Sequence, residues 1–243
     1  MSVQEMYDRA AEQYDAMVAR TQYIGPSWLN GQIEALGSAS EEISQAVDLG
    51  CANGNLGVVL RERLPRARIV GVDVSPKMAA MARARSCYEL VLTADVGDPL
   101  TFIPDATYDL AVALGVTEFV LEPRTLLREI SRILRPSGRL LISFQEHWPH
   151  RPRDAPRTTH SGDVLHHAYA IDEVQDMLAA SSFELASIES TTGYVSGAGF
   201  SCPYVLATAR ASRSGRTVPE EARGVAAEPE LVRDGPLRGA QVK

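Results

Sequence analysis

The chain has 243 residues, 45% of them hydrophobic, and a formal charge of −7. That is apolar material for one sizeable core, and there is no basic field for nucleic acid to meet. Cys51, Cys87 and Cys202 are odd in number and lack metal-ligand spacing, which argues against a disulfide scaffold or a zinc cluster and fits a reducing compartment. No signal-like start or bilayer-length apolar run is read, so the expectation is a soluble, cytoplasmic protein with neither a membrane nor a nucleic acid as partner. The arginine- and alanine-rich, lysine-poor composition points to a bacterial genome.

In chain order, residues 3–20 repeat apolar side chains at spacings of three and four, which predicts one helix, and a second runs from Trp28 to Leu36. Strand Ala46–Leu49 follows and opens a regular alternation. It comprises helix Leu56–Leu64, strand 67–74, helix Pro76–Arg85, strand 88–95, strand 108–114, helix Arg124–Leu134, the turn "RPSG" and strand 139–144. Short apolar strands alternating with amphipathic helices predict a doubly wound α/β fold with a parallel sheet covered on both faces. After a helix at 171–181, the segments 183–190 and 204–210 read as strands with no helix between them, so they must pair antiparallel. From Ala211 the composition is that of a flexible tail. The expected layout is a helical cap at 1–45, a ligand-binding domain at 46–210 with a His-rich lid at 145–168, and the tail at 211–243.

The turn "DLGCANGNLG" follows the first strand and opens a helix, so its N–H groups and the positive helix end face the carboxyl edge of the sheet, where ligands bind. Its spacing misses the dinucleotide pattern G-x-G-x-x-G, with Ala52 and Asn55 at glycine positions and Asp48 where an apolar residue is usual. A phosphate loop of the G-x-x-x-x-G-K-[S/T] kind would need a lysine that is not there.

These residues resemble the class I methyltransferases that use S-adenosylmethionine. Asp48, Gly50 and Gly54 match that family's first motif, with Ala52 in place of the commoner middle glycine. "GVDVSP" ends the second strand on Asp73, where the resemblance implies a carboxylate that accepts both ribose hydroxyls. "LTADVGDP" ends the third on Asp95, which in the family reaches the adenine amino group. "LREISRILRPSGRLLISF" resembles the family's helix, Pro-x-Gly turn and fifth strand. The resemblance implies a Rossmann-like, seven-stranded sheet with an antiparallel terminal hairpin. It also implies S-adenosylmethionine as cofactor, bound by Tyr14, Asp48, Gly50, Cys51, Ala52, Gly54, Asp73, Val74, Ala94, Asp95, Val96 and Leu114.

Methyl transfer needs alignment and exclusion of water more than strong catalytic groups. His147, His150, His160, His166 and His167 all fall after the fifth strand, and three readings stay open: a metal pair, a general base at His147, or a polar lid that is simply His-rich. The candidate catalytic residues are His147 and Glu118. Glu118 in "GVTEFV" matches the glutamate of the family's Leu-Glu-His tripeptide, while Phe119 replaces its histidine and suggests an aromatic wall. Tyr14 and Asp15 resemble an N-terminal Tyr-Asp that closes over the cofactor, and Arg20 could reach the cofactor carboxylate. The implied activity is transfer of a methyl group to oxygen or nitrogen of a small molecule, in specialised metabolism, by a monomer or homodimer without metal. The alternatives are C-methylating or non-methylating chemistry with the same cofactor, or a nicotinamide oxidoreductase.

Overall fold

A computed structural model describes residues 1–147, 158–161 and 164–212. Among them the core is a seven-stranded sheet. Its parallel part comprises β1 (Gln45–Leu49), β2 (Arg68–Asp73), β3 (Leu90–Thr93), β4 (Tyr108–Ala113) and β5 (Leu134–Gln145). The hairpin β8 (Phe183–Val195) and β9 (Ser201–Ala211) completes it antiparallel, giving the order β3-β2-β1-β4-β5-β9-β8. A separate pair, β6 (Thr158–Ser161) and β7 (Val164–His167), lies between β5 and the last helix.

The helices are α1 (Val3–Ala10), α2 (Tyr14–Thr21), α3 (Gly25–Ala35), α4 (Asn55–Arg63), α5 (Pro76–Ala84), α6 (Pro123–Ile133) and α7 (Ile171–Ala180). Several start where chain chemistry dictates. Ser75 caps α5 by accepting from Met78 N at 3.1 Å, and proline enters the first turn of α3, α5 and α6, where its missing N–H costs nothing. The single helix expected over 3–20 is two, because a 3-10 turn at Ala11–Gln13 breaks it and buries Ala11.

Period-two alternation in β1 sorts its residues between two cores. Val47 and Leu49 join the layer under α6 and α7, while Ala46 packs with Leu29, Ile33, Leu56 and Leu60 from α3 and α4. β1 is bordered by β2 and β4, so the sheet's strand order reverses beside it and the crevice opens above its carboxyl end.

β8 runs to Val195, five residues beyond the expected strand, and β6–β7 was not expected at all. β8 is the sheet edge with most side chains exposed, so it carries no apolar alternation for a sequence reading to find. β9 ends at buried Ala211, and the tail from residue 213 lies outside the described residues, as does half of the lid at 145–168.

Candidate active site

Beyond Leu49 the chain turns through Gly50 (φ +79°), Ala52 (φ +44°) and Gly54 (φ +93°). Gly50 N and Cys51 N both donate to Val72 O, at 2.8 and 3.0 Å, which sews the turn to the end of β2. A Cβ on Gly50 would lie 2.8 Å from Val116 Cβ, so the position admits only glycine. Ala52 takes a left-handed conformation at a cost on the order of 1 kcal/mol, and its N–H donates to Asp73 Oδ2 at 2.8 Å. The alanine therefore keeps the turn's geometry.

Asp73 is 6% exposed, and its other oxygen accepts from Ser75 N at 2.8 Å. Two backbone donors thus fix the carboxylate at the lip of the crevice, and each oxygen keeps a lone pair for a ligand hydroxyl. Burial raises its pKa against the lowering effect of those two hydrogen bonds. Asp95, at the next strand end, accepts from Gly97 N at 2.8 Å.

Asp48 sits on the Ala46 face of β1, underneath the turn, fully buried. Tyr88 donates to its Oδ2 at 2.6 Å, while Oδ1 has no hydrogen-bond partner among the described residues. Burial pushes its pKa up to about 7; the Tyr88 bond opposes this and nearby Asp73 adds to it. A carboxyl whose folded pKa exceeds its unfolded value favours folding below the unfolded value, and that advantage is lost as pH rises towards 7. Asp48→Asn keeps an acceptor for Tyr88 and removes the ionisation. The variant should therefore gain on the wild type between pH 4.5 and pH 8, by about 3 kcal/mol. Chemical denaturation at the two pH values measures this, and an unchanged difference would refute it.

Above the turn lies a cavity of about 300 Å³. Its wall includes Tyr14, Gly50, Cys51, Ala52, Asp73, Val74, Asp95, Val96, Leu114 and Glu118 from the residues named from sequence. Asp48, Gly54, Ala94 and His147 do not line it. Gly54 is the left-handed residue before α4, and Ala94 N donates to Asp73 O at 3.0 Å. His147 spends its backbone N–H on Tyr169 O at 2.9 Å.

α1 and α2 roof the cavity with Val3, Met6, Tyr7, Ala10, Tyr14 and Met17. Two acids clamp that roof down. Asp8 accepts from Ser75 Oγ at 2.5 Å and Lys77 N at 3.2 Å, at the start of α5. Asp15 accepts from Asn53 Nδ2 at 2.7 Å, Asn55 Nδ2 at 3.1 Å and the Arg85 guanidinium at 2.7 Å. So Tyr14 faces the cavity and Asp15 faces the glycine turn, whereas Arg20 is exposed at the end of α2 and does not line the wall.

Part of the wall is aromatic. Phe119 packs edge-on to Tyr7 (5.7 Å) and His166 (4.7 Å), while Tyr204 stands edge-on to Tyr23 (6.4 Å) and Tyr194 (5.8 Å). Phe119 is thus part of an aromatic wall. Glu118 is 4% exposed and accepts from the Tyr204 hydroxyl through Oε1. Its Oε2 and the Tyr23 hydroxyl have no hydrogen-bond partner among the described residues. Burial raises the Glu118 pKa, opposed by the Tyr204 bond. From the histidine window His166 lines the cavity, burial lowers the His167 pKa, and His150 lies outside the described residues. Tyr7, Tyr23, Tyr194 and Tyr204 carried no sequence signal as site residues, because they come from a helix, a loop and both strands of the edge hairpin.

The profile of a methyltransferase domain family matches residues 47–142, from the glycine turn's strand to β5. Trans-aconitate 2-methyltransferase of Azoarcus is 37% identical over 108 residues, which is 44% of this chain and 42% of that protein. Malonyl-[acyl-carrier protein] O-methyltransferase of Hahella chejuensis is 32% identical over 145 residues, 58% of this chain and 48% of the relative. The matches thus span less than half the length of these curated relatives. In fold, the chain is similar to magnesium protoporphyrin IX methyltransferase of Synechocystis, solved with S-adenosylmethionine bound. The TM-score is 0.55 at 17% identity, over 77% of this chain and 79% of that one. Residues 47–142 thus match a methyltransferase domain family, and the sheet has the class I methyltransferase fold, whose members use S-adenosylmethionine as methyl donor.

The wall suits that donor. Asp73 is preset for vicinal hydroxyls, and no lysine or arginine among the described lining residues awaits a pyrophosphate.

Proposed function

We propose that this chain transfers the methyl group of S-adenosylmethionine to an oxygen or nitrogen of a small molecule. The observation that carries the reading is Asp73, held by Ala52 N and Ser75 N at the mouth of the glycine turn and facing the cavity.

In this reading Asp73 binds the ribose hydroxyls and Asp95 the adenine amino group, with Val74 and Val96 against the base. Gly50, Ala52, Tyr14 and Leu114 surround the amino-acid end. When bound, the cofactor would supply a methyl group activated by its sulfonium. The chain contributes alignment and dryness: α1 and α2 cover the cavity, and the aromatic end shapes the acceptor's approach. Glu118 is the wall carboxylate best suited to take the acceptor's proton, since its Oε2 is buried and has no hydrogen-bond partner among the described residues. His147 lies off the wall, which favours Glu118 over it as the base.

A small acceptor fits the size of the cavity, and the two relatives named above act by name on trans-aconitate and on a malonyl carrier protein. No helix among the described residues is long and apolar enough to cross a membrane. The test incubates the chain with S-adenosylmethionine and a panel of small amines, phenols and carboxylates. The expected result is S-adenosylhomocysteine release matched by a product heavier by one methyl group. Binding of the cofactor without release in the presence of any acceptor would replace methyl transfer by other chemistry at the same site.

A further inference from the structure

The charges on the cavity wall argue against simply lending this chain the substrates of its relatives. Asp73, Asp95 and Glu118 line the cavity, and no lysine or arginine does so among the described residues. With Asp73 and Asp95 taken up by the cofactor, a di- or tricarboxylate in the acceptor's place would still meet Glu118 with no described lysine or arginine opposite, an arrangement that disfavours it.

The same end of the cavity holds two unmet needs. Glu118 Oε2 is a buried acceptor and the Tyr23 hydroxyl a buried donor or acceptor, and neither has a hydrogen-bond partner among the described residues. Leaving such atoms unsatisfied is costly, more so for a charged group, so a ligand that satisfies them gains that difference on binding. Both are fixed in place. Tyr204 holds the other Glu118 oxygen, and Tyr23 reaches over Gly115 so closely that a Cβ there would lie 2.8 Å from its hydroxyl oxygen. Around them stand Tyr7, Phe119, Tyr194 and Tyr204, whose ring faces attract cations and whose bodies are apolar.

We infer that the acceptor is an amine with a compact apolar or aromatic body, its nitrogen-bound hydrogens donated to Glu118 Oε2 and the Tyr23 hydroxyl, and that polycarboxylates are excluded. This deepens the methyl-transfer reading and rests on it for treating the aromatic end as the acceptor's place. Glu118 and Tyr23 are then the residues that set specificity. A primary ammonium carries three donors, enough for both groups, and loses a proton to Glu118 before its nitrogen pair forms the bond to the methyl carbon.

Calorimetric titration of the full chain tests this, with S-adenosylhomocysteine saturating and again without it. The probes are phenethylamine, 3-phenylpropylamine and tryptamine, set against 3-phenylpropionate and trans-aconitate. At least one amine should bind ten times more tightly than either carboxylate. Glu118→Gln keeps the volume and an acceptor for Tyr204, and should weaken that amine tenfold or more while changing S-adenosylhomocysteine affinity less than threefold. Tyr23→Phe should weaken it severalfold. A carboxylate that binds as well as every amine, or amine affinity untouched by Glu118→Gln, overturns the inference. Absence of S-adenosylhomocysteine binding overturns the methyl-transfer reading instead, and the titrations without it still decide the amine preference.

Discussion

Asp73→Ala is expected to weaken S-adenosylhomocysteine binding by a hundredfold or more. Hydrogen bonds to a charged partner contribute about 1.5–3 kcal/mol each, so losing two ribose hydroxyls from one carboxylate removes about 3–6 kcal/mol, a factor of roughly 10² to 10⁴. The substitution also releases Ala52 N and Ser75 N, which hold the glycine turn against the start of α5. Asp73→Asn is not a rescue, because its amide would turn donors towards one of those N–H groups. Asp95 is exposed and carries one internal bond, from Gly97 N, so Asp95→Asn should cost less than Asp73→Ala. Calorimetry on the three proteins gives the comparison, and an Asp73→Ala affinity within threefold of wild type would remove Asp73 from the site.

The second large effect is expected at Gly50→Ala. A left-handed φ of +79° costs a residue with a Cβ about 1–2 kcal/mol, and a Cβ placed 2.8 Å from the Val116 side chain adds about 1–3 kcal/mol of overpacking. The variant should lose roughly 2–5 kcal/mol of stability and, with the turn displaced, bind no cofactor. Adding Val116→Gly, which removes both the Cβ and the Cγ2 at 2.8 Å, should recover the packing part and leave the backbone part. Gly31→Ala supplies the contrast, since that glycine lies inside α3 with open space around its missing Cβ, and the change should stabilise by about 0.5–1 kcal/mol. Denaturant unfolding distinguishes these cases, and Gly50→Ala unfolding with the wild-type midpoint would contradict the steric reading.

The parallel half of the fold was legible because its strands are buried on both faces and its helices are capped by Ser75 and by prolines at fixed places. The turn was legible for the same reason that Gly50→Ala should fail: a left-handed backbone in a close approach leaves little choice of residue. Asp48 shows the limit. It matched the motif, yet the two-residue period of β1 turns it under the turn towards Tyr88, so its contribution to the cavity is to hold the floor. The aromatic end was beyond reach, since Tyr7, Tyr23, Tyr194 and Tyr204 converge only through tertiary folding. β8 was read short because an exposed edge strand has no apolar rhythm, and the break between α1 and α2 was missed because the helical spacing runs straight across it.

The sulfonium cofactor is the claim on which the rest depends, and it separates most directly from the nicotinamide alternative in one titration. Measured by calorimetry on the purified chain, S-adenosylhomocysteine should bind at one site per chain, while NAD at the same concentrations gives no heat beyond dilution. The wall provides a fixed carboxylate for a ribose and, among its described residues, no lysine or arginine for a pyrophosphate. Saturable NAD binding with none for S-adenosylhomocysteine would contradict the assignment of this cavity.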